Sequence, residues 1–206
     1  MPTRFVYFDF GNVLFHFDHH LAARQMAAVA GISEDRAWQI VFESDLETLY
    51  ESGKITSDEF YERFCEQTKT RPDRAALLHA AGAIFELNVP IVPLVAQLQS
   101  AGHRTGVLSN TCECHWNYCT SGRYALLPGA FEQIILSYEV GAMKPDPAIY
   151  RAAIKAAGVA PKEIFFIDDR QENVDGAVAA GIDAVLFESV RQCAEELRRR
   201  GLRSNY

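Results

Sequence analysis

The amino-terminal part of the chain carries an apolar run, Phe5–Phe8, that ends directly on Asp9 and turns at Gly11. Four consecutive β-branched or aromatic residues before a carboxylate and a glycine indicate a buried parallel strand that presents one acid on a loop. Asp9 is therefore a candidate nucleophile. Taken alone, the run is equally compatible with an Asp that only caps the following turn, because Asp is a common turn residue.

The composition limits the class of partner. With 206 residues, 49% of them hydrophobic, the chain can bury a sizeable core as one domain or as one domain with an insertion. A formal charge of -7 argues against a nucleic-acid binder, which needs a basic face to displace counterions. A small phosphate is still compatible with this charge, because a helix amino terminus, one lysine and a metal ion bind it locally.

Targeting signals and cysteine usage predict the compartment. We find no basic stretch followed by an apolar segment and a small-residue cleavage site, so we expect a cytoplasmic protein that does not bind membranes. The five cysteines are odd in number, and a chain of this length does not need disulfides. Free thiols in a reducing compartment are predicted.

Short apolar strands alternate with helices along most of the chain. Such strands, apolar on both faces, predict a doubly wound parallel sheet covered by helices on both sides, an α/β fold. Between residues 18 and 88 the pattern predicts helices and no strand, so this block is expected to be an insertion after the first strand. The later strands are predicted at residues 105–108, 133–136, 164–167 and 184–187.

Polar side chains stand at or just past the carboxyl ends of these strands: Asp9, Ser109, Lys144 and the pair Asp168-Asp169. In a doubly wound sheet those ends converge on one crevice. A carboxylate facing an acid pair implies a hard divalent cation such as Mg²⁺, because uncompensated acids at close range repel each other. A hydroxyl, main-chain N–H groups and an ammonium would hold the other phosphoryl oxygens. The set predicts phosphoryl transfer through an aspartyl-phosphate.

Four segments resemble, in order, the motifs of the haloacid dehalogenase (HAD) superfamily of phosphatases: FDFGNVL, VLSNT, KPDP and FFIDDRQEN. Each motif alone is weak evidence, and their common order makes the resemblance specific. It covers residues 5 to about 187, and the block 18–88 is similar to the helical cap of that family. The resemblance implies an α/β core of residues 1–17 and 89–206, with residues 18–88 as the cap.

The resemblance also implies roles for single residues. Asp9 would be the nucleophile, and Mg²⁺ would be bound by Asp9, the main-chain carbonyl of Gly11 and Asp169. Asp168 and Asn173 would support the metal site. The residues implied to hold the phosphoryl group are Ser109, Asn110 and Lys144.

One position departs from the family pattern. Most phosphatases of the superfamily have a second Asp two residues after the nucleophile, where this chain has Gly11. Loss of such a general acid/base costs about 10²–10⁴-fold in rate. The form FDFGNVL resembles a subgroup that includes α-D-glucose-1-phosphate phosphatase. We expect either an easily departing oxygen, as in an anomeric sugar phosphate, or a proton supplied by His16 or Asp18.

The expected activity is Mg²⁺-dependent hydrolysis of a small phosphorylated metabolite, with a sugar phosphate favoured, by a monomer or homodimer. One alternative is a metal-independent 2-haloacid dehalogenase, against which the pair Asp168-Asp169 argues. The other is a catalytically weak binding protein on the same scaffold, which Gly11 makes plausible and the retained nucleophile, serine, lysine and acids argue against. Fold alone does not separate the three.

A second group of potential ligands lies in the middle of the chain. Cys112, Cys114, His115 and Cys119 resemble zinc ligands by number. Their spacing fits no common structural zinc site, and a helix would scatter their side chains over more than one face. We therefore expect structural thiols here.

Overall fold

The computed structural model describes residues 2–124, 129 and 131–202. Its main sheet has five parallel strands, which are β1 (Phe5–Phe8), β4 (Arg104–Ser109), β5 (Gln133–Leu136), β6 (Ile164–Asp168) and β7 (Asp183–Leu186). Their order is β5-β4-β1-β6-β7, with β1 in the centre. The chain builds outward from β1 on one side and then on the other, so a topological switch point lies at the end of β1. The predicted α/β fold is confirmed.

Helices cover both faces of this sheet, which explains why β1 is apolar throughout. Val6 and Phe8 join one buried cluster, whereas Phe5 and Tyr7 join a second cluster on the opposite face. Successive side chains of a strand point to opposite faces, so a strand covered twice must be apolar at every position. The helices of this part are α6 (Val92–Ser100), α7 (Glu113–Thr120), α8 (Ser137–Val140), α9 (Pro147–Ala157), α10 (Gln171–Ala179) and α11 (Val190–Arg199).

Five helices fill the inserted block. They are α1 (His19–Ala30), α2 (Glu34–Val41), α3 (Leu46–Glu51), α4 (Ser57–Thr68) and α5 (Arg74–Gly82). The helix ends follow the sequence signals. Gly31 ends α1 in the left-handed region at φ 68°, and Thr56 and Glu59 form a capping box at the start of α4. Local capping chemistry therefore determined these boundaries.

A second, two-stranded sheet frames the insertion. It pairs β2 (Phe15–Phe17) with β3 (Phe85–Leu87) in antiparallel fashion. The prediction of no strand between residues 18 and 88 was therefore wrong for β3. Each strand has three residues, too short for an alternating pattern to stand out, and the pairing depends on a partner about 70 residues away.

The end of α3 in the insertion contacts α8, the short helix that follows β5. The Oγ atom of Ser137 lies 2.5 Å from the main-chain oxygen of Glu51. Gly53 follows at φ 67°, and a Cβ atom added there would lie 2.1 Å from the main-chain oxygen of Tyr138. Only glycine combines this backbone conformation with so close an approach. Gly53 therefore fixes how the end of α3 meets the core.

We expect Gly53→Ala to lower the free energy of unfolding by clearly more than the roughly 1–2 kcal/mol that a left-handed alanine costs, because the methyl group also strikes Tyr138. The matched control is Gly31→Ala, whose φ is 68° and whose added Cβ meets nothing within 4 Å. Urea denaturation of both variants measures the difference. Equal losses of unfolding free energy in the two variants would show that the close approach to Tyr138 adds nothing to stability.

Two expectations concern whole-chain properties. All five cysteines are buried free thiols, as predicted. Within the described ranges, no helix has the length and apolar character needed to cross a membrane.

Candidate active site

Asp9 leaves the end of β1 at the switch point of the sheet. Its main-chain N–H donates to Ile167 O of β6 at 2.9 Å, and its Oδ1 accepts the N–H of Phe10 at 2.7 Å. The residue is 6% exposed, and it lines a cavity of about 150 Å³. The strand therefore presents a nearly buried carboxylate with a defined orientation at the one place where ligands bind in such sheets.

Lys144 joins the acids of two neighbouring strands. Its ammonium donates to Asp9 Oδ1 at 2.7 Å, to Asp168 Oδ2 at 2.6 Å and to Leu108 O at 3.0 Å. Burial alone would lower the pKa of Lys144, but the charges of Asp168 and Asp9 outweigh it, and the pKa is raised. Lys144 is therefore a permanent buried cation.

The side chain of Asn110 holds Lys144 in place. Its Oδ1 accepts the main-chain N–H of Lys144 at 2.7 Å, and its Nδ2 donates to the main-chain oxygen of Lys144 at 2.9 Å. This reciprocal pair ties the loop after β4 to the loop after α8. It places the ammonium between the two carboxylates.

Negative charge exceeds positive charge around Asp9. Burial raises the pKa of Asp9 to about 8; the charge and hydrogen bond of Lys144 oppose this rise, while Asp168 and Asp169 add to it. The carboxylates of Asp9, Asp168 and Asp169 offer oxygen atoms that all lie within 4.8 Å of one another. One ammonium among three such carboxylates leaves room for a further cation.

Two amides complete this acid cluster. Asn12 donates from Nδ2 to Asp169 Oδ2 at 2.9 Å, and Asn173 donates from Nδ2 to Asp168 Oδ1 at 2.9 Å. The Oδ1 atom of Asn173 is buried and finds no partner among the described residues. A buried acceptor without a donor is costly unless a ligand satisfies it. An all-oxygen donor set of this kind fits Mg²⁺.

The loop after β4 supplies hydrogen-bonding groups to the same cavity. Ser109 is fully buried at the end of β4, and its neighbours Asn110 and Thr111 form the cavity wall. The main-chain N–H of Thr111 donates to Ser137 Oγ at 2.9 Å, whereas its own Oγ1 is buried without a partner among the described residues. Thr111 therefore carries a buried hydroxyl without a partner in the wall of the cavity.

Most of the predicted site residues meet in this cavity. Asp9, Gly11, Asn110, Lys144, Asp169 and Asn173 all line it. Asp168 and Ser109 are fully buried beside them. Residues that the sequence analysis did not assign to this site also line it: Phe10, Asn12, Phe17, His19, Glu51, Phe85, Thr111, His115, Met143 and Arg170.

The two candidate proton donors are not brought to the cavity. His16 is exposed on β2 opposite Glu86, and the exposed Asp18 caps α1 by accepting the N–H of His20 at 2.8 Å. Neither is among the residues that line the cavity. Alternation along β2 places His16 on the opposite side from Phe15 and Phe17.

The space beside Gly11 is filled. A Cβ atom added at Gly11 would lie 2.8 Å from Cε1 of Phe17. The ring of Phe17 therefore occupies the position into which a side chain of residue 11 would extend. A second acid at residue 11 would require this ring to move.

The insertion contributes residues that no motif indicated. Glu51 at the end of α3 and His19 at the start of α1 line the cavity. No sequence motif distinguishes Glu51 from the other acids of the insertion. Six aromatic residues of the insertion do not line this cavity: Trp38, Phe42, Tyr50, Phe60, Tyr61 and Phe64.

The cysteine segment differs in one respect from expectation. Ligand atoms of Cys112, Cys114 and His115 lie within 4.8 Å of one another, so these three side chains are not scattered. Cys112 precedes α7 in extended conformation, φ -121° and ψ 169°, which turns its side chain back toward the helix. All three are buried, and burial raises the pKa of the Cys112 thiol and lowers that of His115 to about 3. The neutral thiol fits the predicted structural role.

A larger cavity of about 430 Å³ opens between α4, α5 and α7. It has one carboxylate, Glu113, which accepts the hydroxyl of Ser57. A single engaged carboxylate provides neither a nucleophile with a partner nor a metal site. The smaller cavity at Asp9 is therefore the candidate active site.

Comparisons with known proteins identify the family of the chain. A family model described as haloacid dehalogenase-like hydrolase matches residues 3–181. The D-ribitol-5-phosphate phosphatase of Bacteroides thetaiotaomicron is 24% identical over 200 residues, which are 93% of this chain and 95% of that protein.

Solved structures give the same result for the fold. A mutant HAD family enzyme from Bacteroides thetaiotaomicron, in complex with magnesium and inorganic phosphate, superimposes with a TM-score of 0.79 at 25% identity, covering 90% of this chain and 94% of that one. The L-2-haloacid dehalogenase of Xanthobacter autotrophicus shares the fold, with a TM-score of 0.64 at 22% identity over 96% of this chain and 83% of that one. The fold, the acid cluster and the family match lead to one conclusion: the chain belongs to the haloacid dehalogenase-like hydrolases.

Proposed function

We propose that this enzyme is a Mg²⁺-dependent phosphatase that hydrolyses a small phosphorylated metabolite through an aspartyl-phosphate on Asp9. The observation that carries the proposal is the pairing of Lys144 with both Asp9 and Asp168 in a cavity that Asp169 also lines. The phosphatase among its relatives and the magnesium–phosphate complex of a related structure support the same chemistry. The sheet of residues 1–17 and 89–206 would act as the catalytic core, and residues 18–88 as the cap.

The metal site would use hard oxygen donors. Asp9, Asp169 and the carbonyl of Gly11 would bind the ion, with Asp168 and Asn173 supporting them. When bound, Mg²⁺ would supply positive charge to the phosphoryl oxygens and offset the repulsion among the carboxylates. The unpartnered Oδ1 atom of Asn173 supports this assignment.

The protein groups would do the remaining work. The Asp9 carboxylate would attack phosphorus, and Lys144 would hold Asp9 in line and balance charge as it develops on the phosphoryl oxygens. Asn110, the Thr111 hydroxyl and the Ser109 loop would bind the phosphoryl group. The cap would exclude bulk water during the reaction.

A sugar or sugar-alcohol phosphate is the proposed substrate class. A cavity of about 150 Å³ suits a phosphate with a short carbon chain, and its wall carries amide, hydroxyl and charged side chains able to bind hydroxyl groups. The related D-ribitol-5-phosphate phosphatase acts on a substrate of this kind by its name. An anomeric phosphate, whose oxygen leaves easily, remains within this class.

The deciding experiment is phosphate release from a panel of sugar, sugar-alcohol and amino-acid phosphates, with Mg²⁺ or with a chelator. We expect turnover that requires Mg²⁺ and is highest on a sugar or sugar-alcohol phosphate. Release of halide from a 2-haloacid in the presence of chelator would overturn the proposal. Folded protein that binds Mg²⁺ and turns over no phosphate ester would also overturn it, in favour of a binding protein.

Asp169→Asn is expected to remove the response to the metal. A ligand that binds only the folded state stabilises it by about 2.7 kcal/mol at a concentration 100 times its dissociation constant, so Mg²⁺ should raise the melting temperature of the original protein. The variant should show little of this rise. Asp175→Asn, an exposed acid on α10 outside the cavity, is the control. An unchanged magnesium response in Asp169→Asn would exclude this metal site.

A further inference from the structure

We propose that Glu51 is the general acid and base of this enzyme, taking the place of the second acid that is missing at Gly11. The inference depends on the phosphatase function proposed above. It concerns the proton that the leaving oxygen needs and the proton that the attacking water must lose.

The cavity offers few acids that could do this. Among the described residues, its lining contains three carboxylates, which are Asp9, Asp169 and Glu51. Asp9 is the proposed nucleophile and Asp169 a proposed metal ligand, so Glu51 is the one that has no role yet. It comes from the insertion, whereas the other two come from strand-end loops. In-line displacement drives the leaving oxygen away from Asp9, toward the groups with which the cap closes the site.

The backbone of Glu51 is held firmly against the core. Its main-chain oxygen lies 2.5 Å from Ser137 Oγ, and Ser137 in turn accepts the N–H of Thr111, which lines the same cavity. Two residues later, Gly53 allows the chain to pack closely against the main chain of Tyr138. A main chain anchored in this way keeps residue 51 in a fixed position relative to the phosphate-binding loop, as proton transfer requires.

The competing groups are poorly suited to the role. Residue 11 has no side chain, and Phe17 fills the adjacent space. Burial lowers the pKa of His115 to about 3, which keeps it neutral and a poor proton acceptor. Burial also lowers the pKa of His19, whose Nε2 lies 3.3 Å from Glu47 Oε1.

The surroundings of Glu51 suit a group that must both give and take a proton. Burial raises its pKa to about 7, while the charges of Lys144 and Arg170 act in the opposite direction. The charge of Glu51 in turn raises the pKa of Glu47, one turn earlier on α3, and of Cys112, just before α7. A general acid is most effective when its pKa lies near the working pH.

The reaction has two steps, formation of the aspartyl-phosphate and its hydrolysis. Asp9 Oδ bonds to phosphorus while the ester P–O bond breaks, and the Glu51 carboxyl gives its proton to the leaving oxygen, which departs as an alcohol. Glu51 is then a carboxylate and takes a proton from water. The water oxygen bonds to phosphorus, the P–O bond to Asp9 breaks, and inorganic phosphate leaves with Asp9 and Glu51 restored.

The test compares leaving groups in Glu51→Gln. An alkyl phosphate, for which we take D-ribitol 5-phosphate, leaves as an alkoxide that needs a proton, whereas p-nitrophenolate leaves without one. In single-turnover measurements we expect the first step to slow by about 10²–10⁴-fold on the alkyl ester and by less than about tenfold on p-nitrophenyl phosphate. In the original enzyme, kcat/KM on the alkyl ester should fall at alkaline pH as Glu51 loses its proton. In Glu51→Gln this fall should disappear. Glu51→Asp should recover part of the rate.

The control is Glu47→Gln. Glu47 is a half-buried carboxyl on the same helix whose pKa burial raises to about 9, but it lies outside the cavity of Asp9. This variant should keep both rates and the pH profile. Equal losses of rate on both esters in Glu51→Gln would overturn the proposal. An unchanged fall of kcat/KM at alkaline pH in this variant would overturn it as well. Absence of turnover in the original protein would instead refute the phosphatase function itself.

Discussion

Replacing Asp9 with Asn is expected to lower phosphate release by at least about 10⁴-fold, the order of loss seen when a covalent nucleophile is removed. The amide keeps the size of the side chain and still accepts the hydrogen bond that Lys144 donates at 2.7 Å. It cannot form the acyl phosphate. The measurement is steady-state turnover with saturating Mg²⁺, together with acid-quenched protein, which should carry labelled phosphate only in the original enzyme.

This variant should not be less stable. Burial and the neighbouring acids make ionised Asp9 costly in the folded protein, so a neutral Asn removes part of that cost. Thermal unfolding should give a melting temperature equal to or above that of the original protein. Asp45→Asn, at an exposed position with no side-chain capping bond, serves as the control and should keep full activity. Phosphate trapped on Asp9→Asn protein would identify a different nucleophile.

Lys144→Met should lose both activity and stability. The ammonium is 1% exposed and is the cation paired with the buried carboxylates of Asp9 and Asp168. Breaking a buried ion pair by removing one partner costs about 3–5 kcal/mol, because the remaining charges stay buried without compensation. Urea denaturation in the presence of chelator should show this loss, and turnover should fall to background.

Lys162→Met provides the matched control, because Lys162 is exposed in the turn before β6, at the opposite end of that strand from Asp168. It should change stability by no more than about 0.5 kcal/mol. A Lys144→Met protein as stable as this control would mean that the two carboxylates do not depend on the ammonium. Activity retained in Lys144→Met would contradict its proposed part in binding the phosphoryl group.

Local signals in the sequence were sufficient to predict most of the helices and strands and the polar residues at the strand ends. The apolar runs predicted β1 and β4 to β7, because a strand covered on both faces must be apolar at each position. Asp146 and Pro147 are typical of a helix start and Gly158 of a helix end, and α9 begins and ends at these residues. Capping and burial act over a few residues, so a single sequence displays them.

The residues of the site also divide into those that local signals indicate and those that only the tertiary structure reveals. Asp9, Asn110, Lys144 and Asp169 follow strand ends or short motifs, and topology alone brings such positions to one edge of a parallel sheet. Glu51 follows no strand, and its place depends on how the whole insertion packs against Ser137 and Tyr138. Nothing local distinguishes it from the other acids of the cap.

The sequence by itself determined the sheet, its order of elements, the helix caps and the acids at the strand ends, since each depends on local pattern and strand connectivity. The tertiary structure alone decided that β2 pairs with β3, that Phe17 fills the space beside Gly11, and that Glu51 rather than His16 lines the cavity. These outcomes depend on contacts between residues distant in sequence. Such contacts leave no periodic signal, because packing selects them only after the local elements have formed.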